Sequence, residues 1–222
     1  MTIDILFDDD SILAVNKPAG LSTIPNDKTP REESIVGMLE ERFEINLFVV
    51  HRLDKGTSGV LLFAKTKEAH RDLNMQFEAR KVSKKYLAIV EGVPKFDEKE
   101  INIPISRSKI GSKKVALASK GFEAITKIKV IERFKEYSLL EIIPVTGKRH
   151  QIRLHLKAAG HPLAVDPLYG RAEAIKIKGK VILDRMPLHA AEIGFVHPET
   201  KETVLIKAEL AEDMRAFRDS ML

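Results

Sequence analysis

The sequence predicts an α+β fold built on a large, mixed and mostly antiparallel sheet with flanking helices. Short apolar segments with strand spacing outnumber the helical segments, and the two kinds do not alternate strictly along the chain. No internal repeat, low-complexity tract or linker interrupts the 222 residues, of which 44% are hydrophobic and 31% charged. We therefore expect a single domain over residues 1–222.

The strand predictions rest on short apolar runs bounded by polar or glycine-containing turns. The expected strands are Ile3–Phe7, Ile12–Asn16, Leu47–Val50, Val60–Ala64, Lys84–Gly92, Ile101–Ile105, Phe122–Phe134, Tyr137–Val145, Leu188–Val196 and Thr203–Ala208. Residues 107–120 are rich in serine, lysine and glycine and lack apolar periodicity, so they predict an exposed loop or a loose hairpin.

Helix-capping residues and apolar spacing near 3.6 predict four helices. Thr29 before Pro30 is a typical helix start, and Thr66 can cap a second helix. Gly160 provides a stop signal for a third helix. The expected helices cover residues 30–43, 67–79, 151–159 and 213–221.

The charge balance is mildly basic and unevenly distributed. The chain has 37 basic and 32 acidic residues, a net charge of +5 and a pI of about 9.2. If the basic segments shared one face, they would suit a polyphosphate partner whose binding weakens with salt. Taken alone, such runs are more typical of a solvated surface. The basic segments are Arg80–Lys85, Arg107–Lys120, Lys148–Lys157 and Arg171–Arg185.

Several function classes are excluded by what the sequence lacks. It has no cysteine, hence no disulfide or thiolate nucleophile, and no apolar run approaching the ~20 residues of a membrane span. We expect a soluble, cytoplasmic protein that does not enter a membrane. Glycine-rich phosphate loops and the histidine spacing of common zinc sites are absent. His150 and His155 are five residues apart, which predicts hydrogen-bonded histidines and no metal site.

The segment HRLDKGTSG at residues 51–59 places a carboxylate, Asp54, in a glycine-containing turn between two apolar runs. A turn held between buried strands is a common location for catalytic residues. Gly56 and Gly59 permit positive φ and close backbone approach. Without further motifs, an aspartate that bonds the backbone of its own turn would be the ordinary interpretation.

HRLDKGTSG resembles the signature of the RluA class of RNA pseudouridine synthases. Three further blocks resemble that family in the same order: VNKPAGLST at 15–23, KKYLAIVEG at 84–92 and TGKRHQIRLHL at 146–156. The resemblance implies the pseudouridine-synthase fold with its active-site cleft. It also implies an isomerase, an intramolecular transferase, that acts on uridines in RNA without a cofactor. Val165 and Arg149 depart from the residues that are usual in the family.

The reaction detaches uracil from ribose, turns the base and rejoins it through carbon 5. The resemblance assigns Asp54 as the essential carboxylate, Arg153 as its paired cation and Tyr86 as the group that stacks on the base and takes the carbon-5 proton. A cation within ~4–6 Å lowers a carboxylate pKa, and a phenol of pKa near ~10 needs such a cation to act as a base. A phosphate-contacting arginine and a half-buried strand tyrosine are the ordinary alternatives.

The resemblance also implies substrate-binding residues. Arg52 would stack in the gap that the extruded base leaves, and Leu154 would line the uracil pocket. His51 and Thr57, within the same signature, would contact the substrate. The alternatives are a salt bridge for Arg52 and a core position for Leu154.

A non-catalytic RNA-binding protein that retains the fold is the competing hypothesis. It predicts the loss of Asp54, Tyr86 or Arg153, and all three are present. Larger relatives carry an N-terminal RNA-binding module, whereas the first expected strand here begins at Ile3, so we expect the short form of the class. Recognition of an rRNA or tRNA stem-loop would then fall to residues 107–120 and 148–157 of a monomer.

Overall fold

Strands and helices lie close to their predicted positions in the computed structural model, which describes residues 3–106, 114–171, 173–177 and 179–221. The predicted α+β class is confirmed: the described residues form a large, mostly antiparallel sheet structure and four α-helices. They group into two compact units, residues 1–84 with 190–209 and residues 85–189 with 210–222. The single domain expected over residues 1–222 stays a prediction.

Twelve strands are present among the described residues. In chain order they are β1 (Asp4–Asp8), β2 (Ile12–Lys17), β3 (Phe48–Val49), β4 (Ser58–Ala64), β5 (Ser83–Glu91), β6 (Glu98–Asn102), β7 (Ile125–Arg133), β8 (Tyr137–Pro144), β9 (Ile175–Ile177), β10 (Lys180–Leu183), β11 (Leu188–Val196) and β12 (Thr203–Lys207). The helices are α1 (Ile35–Phe43), α2 (Lys67–Glu78), α3 (Gln151–Ala158) and α4 (Glu212–Met221).

The first unit is organised around β4, whose seven residues are all buried. Strand β4 pairs antiparallel with β2 and with the short β3, while β1 pairs with β2 and β12 with β11. Helix α2 packs against β4, so that Leu73 joins Leu62 and Phe195 in one apolar cluster. The segment that carries Asp54 leads directly into this buried strand.

The second unit contains an antiparallel sheet in the order β5, β8, β7, β6. Helix α3 packs on β7 and β8, where Ile152 and Leu156 join the cluster around Leu140. Helix α4 inserts Met214 and Phe217 into a second cluster, near β10. This unit carries Tyr86 on β5 and Arg153 on α3.

Two local predictions are wrong, and one hairpin was missed. Helix α1 begins at Ile35, after a 3-10 turn at residues 31–33, because the Ser34 hydroxyl caps it by accepting a hydrogen bond from the Gly37 N–H. Strand β6 lies at Glu98–Asn102, N-terminal to its predicted position. The hairpin of β9 and β10 was not predicted. The exposed loop predicted at 107–120 lies, over residues 107–113, outside the described residues.

Candidate active site

Asp54 lies in the loop between β3 and β4, with its side chain partly buried. The Thr57 N–H donates to the Asp54 carbonyl oxygen at 3.0 Å and closes a tight turn, and Thr57 itself is buried. Gly59 takes the positive φ, +107°, that the sequence suggested. A Cβ at Gly59 would overlap the backbone of Ala190, so the turn enters β4 where only glycine fits.

Two side chains brace this loop, and the sequence reasoning did not identify either. Lys17, at the end of β2, is fully buried, and its Nζ donates to the carbonyls of Pro18 and Leu21 at 2.8 Å and of Lys55 at 3.3 Å. The Thr23 hydroxyl donates to the Leu53 carbonyl at 3.1 Å and accepts from the Leu53 N–H at 3.2 Å. The sequence signal for Lys17 was its position at the end of an apolar strand. A buried strand rarely carries a charged side chain.

His51 is engaged within the first unit. Its Nε2 accepts a hydrogen bond from the Leu62 N–H at 3.0 Å, so the neutral ring carries its proton on Nδ1. The ring stacks on Phe77, with centroids 5.2 Å apart. Burial, with the nearby charge of Lys84, lowers the pKa of His51 to about 3. These contacts give His51 a structural role, and its contact with substrate stays a prediction. The neighbouring Arg52 is exposed.

Arg153 is buried and held by Asp166, a partner that the sequence reasoning missed. Its Nε and Nη2 donate to the two carboxylate oxygens of Asp166 at 2.8 and 2.7 Å, and its guanidinium lies 4.9 Å from the centre of the Tyr169 ring. Burial alone would raise the pKa of Asp166, but the Arg153 hydrogen bonds and the N–H groups of Leu168 and Tyr169 lower it overall. The signal was a carboxylate inside the apolar stretch PLAVDPLYG.

The turn that precedes α3 is fixed by the Gln151 amide. Its Oε1 accepts from the Thr146 hydroxyl at 2.7 Å and from the Lys148 N–H at 3.0 Å, while its Nε2 donates to the Ile125 carbonyl at 2.9 Å. One helical turn later, His155 Nδ1 lies 2.8 Å from the Thr126 hydroxyl and its Nε2 lies 3.0 Å from the Ile103 carbonyl. The expected hydrogen-bonded histidine is therefore present, and α3 is anchored to β7 along its length.

Tyr86 and Leu154 occupy different environments in the second unit. Tyr86 is partly buried on β5, opposite Ile142 of β8, and packs at the edge of the apolar cluster around Leu140. Leu154 is only 6% exposed and packs in a small cluster with Ile105 and Tyr169. This burial matches the core alternative for Leu154, and its place in a uracil pocket stays a prediction.

The predicted site residues thus divide between the two units. The first unit carries His51, Arg52, Asp54 and Thr57, and the second carries Tyr86, Arg153 and Leu154. Within each unit the side chains named as catalytic stand on rigid elements with buried supports, as a site that must hold a precise geometry requires. The pairing of Asp54 with Arg153 stays a prediction.

Comparison with known proteins gives one consistent result. The sequence pattern of the family described as RNA pseudouridylate synthase matches residues 11–158. An uncharacterized RNA pseudouridine synthase of Bacillus subtilis, YlyB, is 37% identical over 100% of this chain and 73% of its own length. The dual-specificity RNA pseudouridine synthase RluA of Vibrio cholerae is 36% identical over 89% of this chain and 79% of its own length.

Further similarity comes from a longer relative and from a solved structure. The ribosomal large subunit pseudouridine synthase D of Neisseria meningitidis serogroup A is 38% identical, and 96% of this chain aligns with 60% of that protein. The structure of human RNA pseudouridylate synthase domain containing 1 superposes with a TM-score of 0.75 at 26% identity, covering 94% of this chain and 83% of that one. The chain belongs to the RNA pseudouridine synthase family, a family of isomerases, and within it to the RluA class. No helix in the described part of the chain is long and apolar enough to span a membrane.

Proposed function

We propose that this chain isomerises specific uridines to pseudouridine in an rRNA or tRNA stem-loop, with Asp54, Tyr86 and Arg153 as its catalytic residues. In this reaction the bond between ribose C1′ and base N1 breaks and a bond between C1′ and C5 forms. The C5 hydrogen leaves as a proton and N1 gains one, so the composition of the RNA is unchanged. A relative named for the large ribosomal subunit supports an rRNA substrate, and another named as a dual-specificity enzyme supports more than one kind of RNA target.

The observation that carries the proposal is the construction of the Asp54 loop. A partly buried carboxylate stands on a turn that the buried Lys17 and the Thr23 hydroxyl hold by three hydrogen bonds to the backbone of Leu53 and Lys55. A carboxylate held in this way loses little entropy when it meets a substrate, which favours a nucleophile or a proton acceptor over a solvated surface acid.

The second unit supports the roles of Arg153 and Tyr86. Asp166 accepts from Nε and Nη2 along one edge of the Arg153 guanidinium, so the orientation of the cation toward a carboxylate or a phenol is fixed. Tyr86 has its backbone fixed in β5 while its ring remains partly exposed. Both arrangements suit groups that must be aimed before the substrate binds.

The decisive experiment replaces one carboxylate oxygen by an amide. RNA from cells that lack the gene, labelled with tritium at uracil carbon 5, releases tritium only when a C5–C1′ bond forms. We expect Asp54→Asn to lower this release by at least about 1000-fold, because the essential group is lost, while filter-binding affinity for the same RNA is retained. Asp27→Asn, the same change at an exposed loop aspartate, is the matched control and should behave as the unmodified chain.

Two outcomes separate the alternatives. Tritium release by Asp54→Asn at the control rate would overturn the catalytic role of this carboxylate. No release by the unmodified chain, together with tight RNA binding, would instead favour the non-catalytic RNA-binding protein. Mapping of pseudouridines in total RNA from cells with and without the gene identifies the target. We further propose that the chain acts as a monomer in the cytoplasm, which light scattering and fractionation test.

A further inference from the structure

An exposed aromatic ring in the second unit lies outside the set of residues proposed to carry out the reaction. Phe122 is 45% exposed. Among the large apolar side chains that are exposed in the described part of the chain, it is the one that is aromatic. Its backbone is nevertheless fixed, because Phe122 and Ile105 exchange N–H to carbonyl hydrogen bonds of 2.8 and 2.9 Å. The ring is therefore presented to solvent from a rigid support.

A lysine lies over this ring. Lys148 Nζ is 5.2 Å from the centre of the Phe122 ring, within the range of a cation–π contact. The Lys148 backbone is held by its N–H bond to Gln151, in the turn that leads into α3. The pair therefore lies in the same unit as Arg153, and Lys148 precedes Arg153 by five positions in sequence.

The surrounding charge is positive. Residues 114–123 and 146–150 contain Lys114, Lys120, Lys148 and Arg149 against the single acid Glu123, which is four basic groups to one acidic. The exposed apolar residue Leu205 of the first unit provides a contrast. On the same strand, β12, Lys207 Nζ forms an ion pair with the Glu192 carboxylate at 3.5 Å. An aromatic face with cations beside it complements a nucleobase with its phosphate, and an aliphatic side chain beside a closed ion pair does not.

We propose that Phe122 and Lys148 form a stacking platform for an unpaired base of the RNA substrate, distinct from the uridine that reacts. The base stacks on the face of Phe122, and Lys148 and Arg149 bind the adjacent phosphate. This inference rests on the proposed function, because it states how the same RNA is held next to the element that carries Arg153. A protein or membrane partner would require a broader apolar patch than one ring among lysines.

The first test uses the absence of tryptophan from the chain. Phe122→Trp introduces a single fluorophore, and a base that stacks on it quenches its emission. The probe is a single-stranded oligouridylate. We expect saturable quenching for Phe122→Trp and none for Leu205→Trp, a tryptophan placed at the exposed position of the first unit. Saturable binding of the oligonucleotide without quenching at position 122 would overturn the platform.

The second test separates stacking from apolar contact. Phe122→Leu keeps an apolar side chain but removes the aromatic face, and we expect it to weaken oligouridylate binding by about 5- to 150-fold, the usual range for one stacked base. Phe122→Tyr should bind as the unmodified chain does. Lys148→Gln should reduce the slope of log affinity against log salt by about 0.7, which corresponds to one lost phosphate contact.

The outcomes distinguish this proposal from the one it rests on. If Phe122→Leu binds as tightly as Phe122→Tyr, the platform is wrong, whatever the catalytic activity. If the unmodified chain releases no tritium from labelled RNA, the proposed function fails while the platform for RNA binding can still stand. Circular dichroism tests whether each variant is folded. If Phe122→Leu does not fold, the quenching of Phe122→Trp and the affinity of Phe122→Tyr decide whether the platform exists.

Discussion

At the scale of single residues, the buried pair of Arg153 and Asp166 shows how the proposed catalytic arginine is held. The two side chains are 5% and 1% exposed. Removing one partner of a buried ion pair usually costs more than the pair itself contributes, because the other charge stays buried. The same ion pair therefore stabilises the second unit and fixes the orientation of the Arg153 side chain.

We predict that Asp166→Asn lowers the free energy of unfolding by about 3–5 kcal/mol, because it removes the carboxylate charge that accepts two hydrogen bonds from the buried Arg153 guanidinium. The matched control is Asp97→Asn, which removes an 89% exposed carboxylate that pairs with Arg133 at 2.6 Å. It should cost no more than about 1 kcal/mol. Urea unfolding followed by circular dichroism measures both, and equal losses would contradict the prediction.

His51 predicts a dependence of stability on pH. Its pKa is lowered to about 3 in the folded chain, whereas the unfolded chain has the ordinary value of 6.5. The unfolded state therefore binds more protons between these values, and stability falls as the pH drops below about 6.5. At pH 5 this contribution amounts to at most about 2 kcal/mol.

The substitution His51→Gln tests this dependence, because Gln can accept the Leu62 hydrogen bond but does not titrate. We expect the loss of stability between pH 7 and pH 5 to be smaller in this variant than in the unmodified chain. His155, whose pKa burial also lowers, contributes equally to both proteins and cancels in the comparison. Identical pH profiles would show that His51 is protonated in the folded state or neutral in both states.

At the scale of secondary-structure elements, the entry into β4 depends on a close approach to β11. Gly59 has a φ of +107°, and a Cβ there would overlap the carbonyl group of Ala190. Both the backbone conformation and the space exclude a side chain. Gly160, after α3, has a φ of +85° but no atom within 4 Å of a Cβ placed there.

We predict that Gly59→Ala prevents stable folding of the first unit, because the overlap involves backbone that cannot move without separating the strands. Gly160→Ala should cost only about 1–2 kcal/mol, the usual penalty of the left-handed conformation. Thermal unfolding followed by circular dichroism compares the two. A Gly59→Ala variant as stable as Gly160→Ala would show that β4 and β11 can adjust to the added atom.

At the scale of the whole molecule, the fold and the site differ in how far the sequence predicts them. Strand β11, Leu188–Val196, was predicted to the residue because an apolar run between polar turns allows few alternatives. Thr66 was predicted as a cap and does accept from the Ala69 N–H. Family resemblance, and not spacing, singled out Asp54 among the acidic residues.

The supports of the site could not be predicted, because they connect residues that are distant in sequence. Thr23 bonds to Leu53, which is 30 positions away in sequence. Arg153 bonds to Asp166, which lies in a loop of otherwise mostly apolar residues. Ser34 was overlooked as a helix cap because Thr29 followed by Pro30 is itself a typical start. The local sequence pattern identifies helices and strands, whereas the hydrogen-bond partners of a side chain depend on the tertiary structure.

The Lys17 ammonium has one further consequence for heat inactivation. Two of its carbonyl acceptors lie in its own loop and the third, Lys55, lies in the loop of Asp54, so separating the two loops would remove a hydrogen bond from a buried charge. We therefore expect that the loop of Asp54 does not fray ahead of the core, as surface loops commonly do. Activity and folded structure should be lost together on heating, with no interval in which an intact but inactive protein accumulates.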